Sequence, residues 1–133
     1  MNMLRLEKSE PLLLPKGKMY RANKKAFPVL NGLSMQSFHL DPGGIREPHL
    51  HPDAAQLDYL VTGRARVGII GPDGAPQLLD MEAGDVCFIP QGHLHWIENT
   101  GLQPLHFLLT LSHAEPQTIE LSAMVAGAPI QAK

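Results

Sequence analysis

Residues 33–40, Leu-Ser-Met-Gln-Ser-Phe-His-Leu, alternate apolar and polar side chains with the two-residue period of a half-buried strand. Asp41-Pro-Gly-Gly44 follows as a turn, rich in residues that suit positive φ. Comparable short runs predict strands over 45–51, 56–62, 65–71, 76–81, 85–89, 94–99 and 105–111. Pro72-Asp-Gly74 reads as a hairpin turn, and Glu82–Asp85 and Pro90-Gln-Gly92 read as two more turns. A short helix is expected only over 118–126. Residues 1–25 mix charge with Pro and Gly without a sustained period, so they predict an arm that contributes at most an edge strand. Many short strands at even spacing, almost without helix, predict an all-β closed barrel or jelly roll, and periodicity alone does not separate the two.

Composition narrows the classes. A chain of 133 residues suits one domain, and its 44% hydrophobic and 18% charged content is that of a chain with a buried core. The formal charge of -2 provides no basic footprint for nucleic acid. The one dense basic stretch, Lys16 to Lys25, reads as a solvated face. The single cysteine, Cys87, has no internal disulfide partner, and the run Leu12–Leu14 is interrupted on both sides by proline, unlike a secretory h-region. A cytoplasmic location is therefore expected. No apolar run approaches the roughly 20 residues that span a bilayer, so no membrane partner is expected either.

Seven histidines carry the chemistry. His49 and His51 stand two apart on a predicted strand, which sends both side chains to one face, where they can share a metal ion. His93 and His95 form a second such pair. Imidazole nitrogen suits Zn, Fe, Ni and Cu, and Mn once an oxygen ligand joins. Spacing alone leaves open that each pair is a partly exposed strand histidine. Trp96, Cys87, Tyr59, Phe88, Phe107 and Leu109 read as packing residues, and His39 and His106 as hydrogen-bonded strand histidines.

Two longer patterns sharpen this picture. Gly43, His49-Leu-His51, Gln56 and Gly63 reproduce the first cupin motif except that Gln56 stands where the family has Glu. Gly84, Pro90, Gly92, His95 and Asn99 reproduce the second motif in full. The chain thus resembles the cupins, and within them one domain of the two-domain bacterial oxalate decarboxylases. The likeness also runs through residues 40–51, 60–67, 71–74, 83–85 and 97–101. It implies a double-stranded β-helix, or jelly-roll, barrel over 27–124, an N-terminal arm over 1–26, a short C-terminal helix and a tail over 125–133. One divalent transition metal per subunit is implied on His49, His51 and His95, with Gln56 as the fourth ligand. Arg46 would receive a substrate carboxylate through its planar fork, and Glu115, in the region of the family's mobile acidic loop, would donate a proton. Oxalate is the implied partner, formate and carbon dioxide its products, and a homodimer the implied assembly.

Gln56 changes the electrostatics of that site. An amide offers a neutral carbonyl oxygen where the family has a full negative charge, so hard Mn(II) loses ground to ions that favour imidazole. Alternatively, Gln56 hydrogen-bonds within the barrel while water completes the metal shell. A three-histidine dioxygenase and a binding module without turnover therefore stand beside the decarboxylase, since one scaffold carries many activities.

Overall fold

The protein is described by a computed structural model over residues 1–127. Of the tail expected over 125–133, residues 128–133 lie outside the described residues. The described residues form eleven strands: β1 (Leu12–Leu14), β2 (Gly17–Ala22), β3 (Ser34–Leu40), β4 (Ile45–Leu50), β5 (Gln56–Thr62), β6 (Arg64–Ile70), β7 (Pro76–Glu82), β8 (Val86–Ile89), β9 (Leu94–Asn99), β10 (Leu105–Leu111) and β11 (Ile119–Glu120). A short helix, α1 (Leu121–Ala126), follows β11 directly. The strands form one sheet of order β1-β2-β3-β10-β5-β8 and a second of order β11-β4-β9-β6-β7, and every pairing is antiparallel. This is the jelly-roll alternative of the all-β expectation.

Alternation places the core. In β10 the residues Leu105, Phe107, Leu109 and Leu111 point inward and are buried, while His106, Leu108 and Thr110 between them are only partly covered. Phe38 and Leu40 of β3 lie on the same inner face and meet Val67, Ile69 and Ile97 of the opposite sheet in one cluster. Because the period is two, Gln56, Asp58 and Leu60 of β5 also face inward. Two polar groups thus enter the apolar interior beside one another. The same parity turns Leu57 and Tyr59 outward, and Phe88 of β8 with them, so Tyr59 and Phe88 are exposed, contrary to the packing roles expected of them. Trp96 likewise lies outside the core, its indole seated over Gly68, where a Cβ would come within 2.1 Å of the ring.

The stretch expected as an arm supplies two strands. β1 and β2 form a hairpin, β2 pairs along the whole of β3, and Met19 is buried in the core. A 3₁₀ turn at Leu6–Lys8 then docks on the outer face, where the Glu7 carboxylate accepts from Ser37 Oγ at 2.7 Å and bonds His39 Nε2 at 2.6 Å. His39 and His106, cross-strand partners, stack with ring centroids 4.2 Å apart. At the other end, the helix expected over 118–126 is shorter because Ile119 and Glu120 pair with Leu50 and His49 as β11.

Phe107 is fully buried at the contact of the two sheets. Phe107→Ala is expected to lower unfolding stability by about 3–5 kcal/mol. Urea denaturation followed by far-ultraviolet circular dichroism measures this, and a loss below about 1 kcal/mol would contradict the assigned core.

Candidate metal centre

Strand β4 carries two inward polar residues at an odd spacing, Arg46 and His49. A regular strand would send them to opposite faces. Opposite β9, Arg46 pairs with Ile97 and His49 with His95, so three steps on β4 match two on β9. The extra residue is a β-bulge at Glu47–Pro48, where proline has no N–H to lose from the ladder. Both side chains therefore enter the barrel. His51 follows just past the end of β4, and His95 faces in from β9.

The three imidazoles converge. Their metal-binding nitrogens lie within 4.8 Å of one another, and all three residues are buried. Ring centroids are 4.2 Å apart for His49 and His95, 5.2 Å for His49 and His51, and 5.4 Å for His51 and His95. Each Nδ1 donates to a backbone carbonyl: His49 to Glu47 at 2.8 Å, His51 to Gln117 at 2.9 Å and His95 to His93 at 2.9 Å. A carbonyl only accepts, so each neutral ring must carry its proton on Nδ1 and present the Nε2 lone pair inward. His95 Nε2 is buried with no protein partner. His93, the other member of its pair, contributes its carbonyl and stays outside the cluster.

Electrostatics agree with this geometry. Burial, then the charge of His95, would oppose protonation of His49 and hold it at about 2, far below the ordinary 6.5. Burial likewise lowers His95 to about 4 and lowers His51. Neutral imidazole is the form that binds metal. The residues present thus fit a metal ion: three neutral rings, fixed tautomers and a buried lone pair without a partner.

Gln56 stands at the edge of this cluster, buried, with Nε2 donating to Asp58 Oδ1 at 2.8 Å and Oε1 without a partner. Both alternatives for Gln56 are thereby present in one side chain: its nitrogen bonds within the barrel and its oxygen is free. Arg46 is buried and its fork is filled, with Nη1 and Nη2 donating to the two oxygens of Glu120 at 2.7 and 2.6 Å. An internal carboxylate therefore occupies the group expected to receive a substrate carboxylate, because β11 pairs with β4 and brings Glu120 opposite His49. Glu115 is placed elsewhere. It is exposed, and its Oε1 accepts from the Lys25 backbone N–H at 2.7 Å.

Glu120 and Asp58 are the residues that sequence reasoning passed over. Asp58 was legible, because it shares the inward face of β5 with Gln56 by the same two-residue period. Glu120 carried no signal, since it sat at the start of an expected helix. Burial raises the Asp58 carboxyl to about 7, while Gln56 and then Cys87, as hydrogen-bond donors, pull the other way.

A two-sheet jelly-roll barrel with an inward histidine triad at one end defines the class of protein. Residues 6–129 match the sequence profile of the cupin family, and the chain belongs to it. It is 31% identical over 125 residues to oxalate decarboxylase OxdC of Bacillus subtilis, an alignment covering 94% of this chain and 32% of that protein. Germin-like protein 1 of Brassica napus is 35% identical over 92 residues, covering 68% of this chain and 44% of the relative. Among solved structures, a mutant of Bacillus subtilis OxdC lacking residues at 162–163 superposes with a TM-score of 0.90 at 31% identity, covering 95% of this chain and 34% of that one. The formate complex of Lactobacillus farciminis oxalate decarboxylase does so with a TM-score of 0.86 at 34% identity, covering 90% and 36%. The Bacillus subtilis enzyme has Mn(II) centres. The chain spans about a third of the oxalate decarboxylases and under half of that germin-like protein.

The depressed imidazoles set a pH dependence. Below 6.5 the unfolded histidines take up protons that folded His49, His51 and His95 refuse, so metal-free stability falls as pH drops from about 6.5 toward about 4. Asp58, raised from 3.8 to about 7, acts with the opposite sign across that window, but one group offsets only part of three. Thermal melts of chelator-treated protein across this range should show a falling midpoint. A flat profile would mean that the imidazoles are not held neutral.

Proposed function

We propose that this chain is a metal-dependent cupin acting on a small carboxylate, in the manner of an oxalate decarboxylase, taking oxalate and one proton to formate and carbon dioxide. The observation that carries this reading is the convergence of His49, His51 and His95 beside a buried, bidentate arginine fork at Arg46. Sequence likeness to oxalate decarboxylases supports the substrate class. A bound divalent ion on the three histidines, with Gln56 Oε1 as fourth ligand, would supply Lewis-acid polarisation of a carboxylate oxygen. Mn, Fe, Zn, Ni and Cu all suit this ligand set.

The chain's own residues then have separate tasks. Arg46 exchanges the Glu120 carboxylate for that of the substrate, a swap between two ligands of the same charge and shape. Glu120, once released, is the carboxyl group next to Arg46 and takes over the proton-carrying task that the resemblance assigned to Glu115. The segment 117–122 lies against β4, where Ile119 and Glu120 pair with Leu50 and His49. One observation favours a second reading, a binding cupin without turnover: the Arg46 fork is already satisfied, and any carboxylate must compete with a tethered rival.

Assembly belongs to the same reading. Leu57, Tyr59, Val86 and Phe88 are 50%, 45%, 55% and 58% exposed, and they adjoin on the outer face of the β5–β8 pair. An apolar patch of this kind suits a homodimer interface. A cytoplasmic location is also part of the proposal, supported by the unpaired, buried Cys87. Among the described residues no helix is long and apolar enough to cross a membrane.

Calorimetry of oxalate binding to Mn(II)-loaded protein, with ¹³C detection of formate, tests the function. Arg46→Ala should weaken oxalate by about 1.5–3 kcal/mol, the range for a charged hydrogen bond. Glu120→Gln should strengthen it, since a neutral amide competes less well for the fork. Unchanged affinity in both variants would remove the carboxylate role of Arg46, and binding without formate would leave the non-catalytic reading. For assembly, sedimentation should show a dimer that Phe88→Asp converts to monomer. A monomeric parent at micromolar concentration would refute it.

A further inference from the structure

Asp58 has no exposed surface, and its partners on the adjacent strands are Leu109 and Cys87. A carboxylate in such a place is costly unless donors meet it. No Lys, Arg or His forms an ion pair with it among the described residues. Two neutral donors face it instead: Gln56 Nε2 at 2.8 Å from Oδ1, and the Cys87 thiol, a long contact at 3.9 Å from Oδ2. A buried carboxyl group without a cationic partner costs folding energy, so packing does not explain its presence.

Its effect on Gln56 does. The Gln56 amide presents its nitrogen to Asp58, the orientation that an ionised carboxyl, which only accepts, requires. The carbonyl oxygen is thereby turned the other way, where it is buried and without a protein partner. Gln56 acts to raise the pKa of the His51 imidazole, as an acceptor oxygen does, so that oxygen is on the side of the imidazole cluster. Were the amide reversed, the cluster would meet an N–H₂ group, which cannot bind a cation. The orientation of one amide decides whether the site has three ligands or four.

We propose that Asp58 is the positioning residue of the metal centre: it locks the Gln56 amide so that Oε1 faces His49, His51 and His95, and its ionised form would supply, behind that neutral ligand, the negative charge it lacks. The proposal rests on the reading that the three histidines hold a metal. It alters the electrostatic expectation drawn from Gln56 alone. The carboxyl group the motif has lost at position 56 stands two residues further along the same face of β5. Hard cations such as Mn(II) gain most from a carbonyl polarised in this way.

Mn(II) affinity of the full chain, measured by electron paramagnetic resonance of the free ion, and the Co(II) visible spectrum, which reports the ligand shell, test this without any activity assay. Asp58→Asn and Asp58→Ala should each weaken Mn(II) by roughly 10- to 100-fold, the usual effect of removing a partner of a metal ligand, and should alter the Co(II) bands. In a Gln56→Ala background the same changes should shift affinity by less than about twofold, because residues that act through one another do not add. Gln56→Glu alone sets two carboxylates against each other and should not improve on the parent. Gln56→Glu with Asp58→Asn, which exchanges the acid and the amide, should recover parental affinity. That double variant keeps one acid and one amide in the core and carries the test if a single variant fails to fold. Parental affinity and spectrum in both Asp58 variants, or equal losses with and without Gln56, would overturn the proposal. Loss in Asp58→Ala with none in Asp58→Asn would overturn its charge component. Failure of the histidine reading looks different: the parent binds neither ion, or His95→Ala leaves affinity unchanged.

Discussion

Three hydrogen bonds from imidazole Nδ1 to backbone carbonyls govern what the interior of this barrel can do. They run to Glu47, His93 and Gln117, and each fixes a ring in the tautomer whose Nε2 lone pair points inward. Without them the same rings could flip and satisfy themselves on other polar groups. Two of the acceptors lie two residues before their own histidine, so the strand that carries the ring also orients it. The third, Gln117, comes from the far side of the chain, and it ties the state of His51 to the position of the segment after β10.

That segment is fastened beside β4 by several independent contacts. Gln117 N–H donates to Asp53 at 3.0 Å, Ile119 and Glu120 pair with β4, and Ser122 N–H donates to Glu47 at 3.0 Å. Glu120 on Arg46 is the strongest of them, a bidentate and largely buried ion pair. Breaking such a pair on one side leaves a buried charge uncompensated, which is costly, whereas exchanging one carboxylate for another is not.

A second cluster shows by contrast what suits the first one to a metal ion. Glu7, His39 and His106 also bring two imidazoles and a carboxylate within 4.8 Å of each other. Ser37 sits among them, bonded to Glu7 and to His106 Nε2 at 2.7 Å each, and His39 bonds Glu7 directly. The two rings are stacked with an interplanar angle of 9°, so their lone pairs run parallel and do not converge on a point. Every nitrogen facing that cluster has a protein partner. At His49, His51 and His95 the rings are steeply tilted, and His95 Nε2 has none. The Glu7 network fastens the N-terminal turn to the sheet, whereas the triad leaves nitrogen free to meet an ion.

Much of this was legible in the chain itself. The two-residue period placed every strand from β3 to β10 and turned Gln56 and Asp58 to one inner face, because a pleated strand sends alternate side chains to opposite sides. The motif glycines marked turns that the structure builds with positive φ at Gly43, Gly63, Gly84 and Gly92. Spacing also paired His49 with His51, and the second motif picked His95 over His93. Three features were decided only by the tertiary structure. The bulge at Glu47–Pro48, which turns Arg46 inward, depends on how β4 is matched against β9. The partner of Arg46 lies 74 residues away, on a strand that exists only because β4 offers it an edge. Which atom of Gln56 faces the histidines follows from a hydrogen bond inside the barrel. Periodicity and motifs are local properties of a chain, whereas register, ion pairing and amide orientation are set by whichever groups folding brings opposite one another.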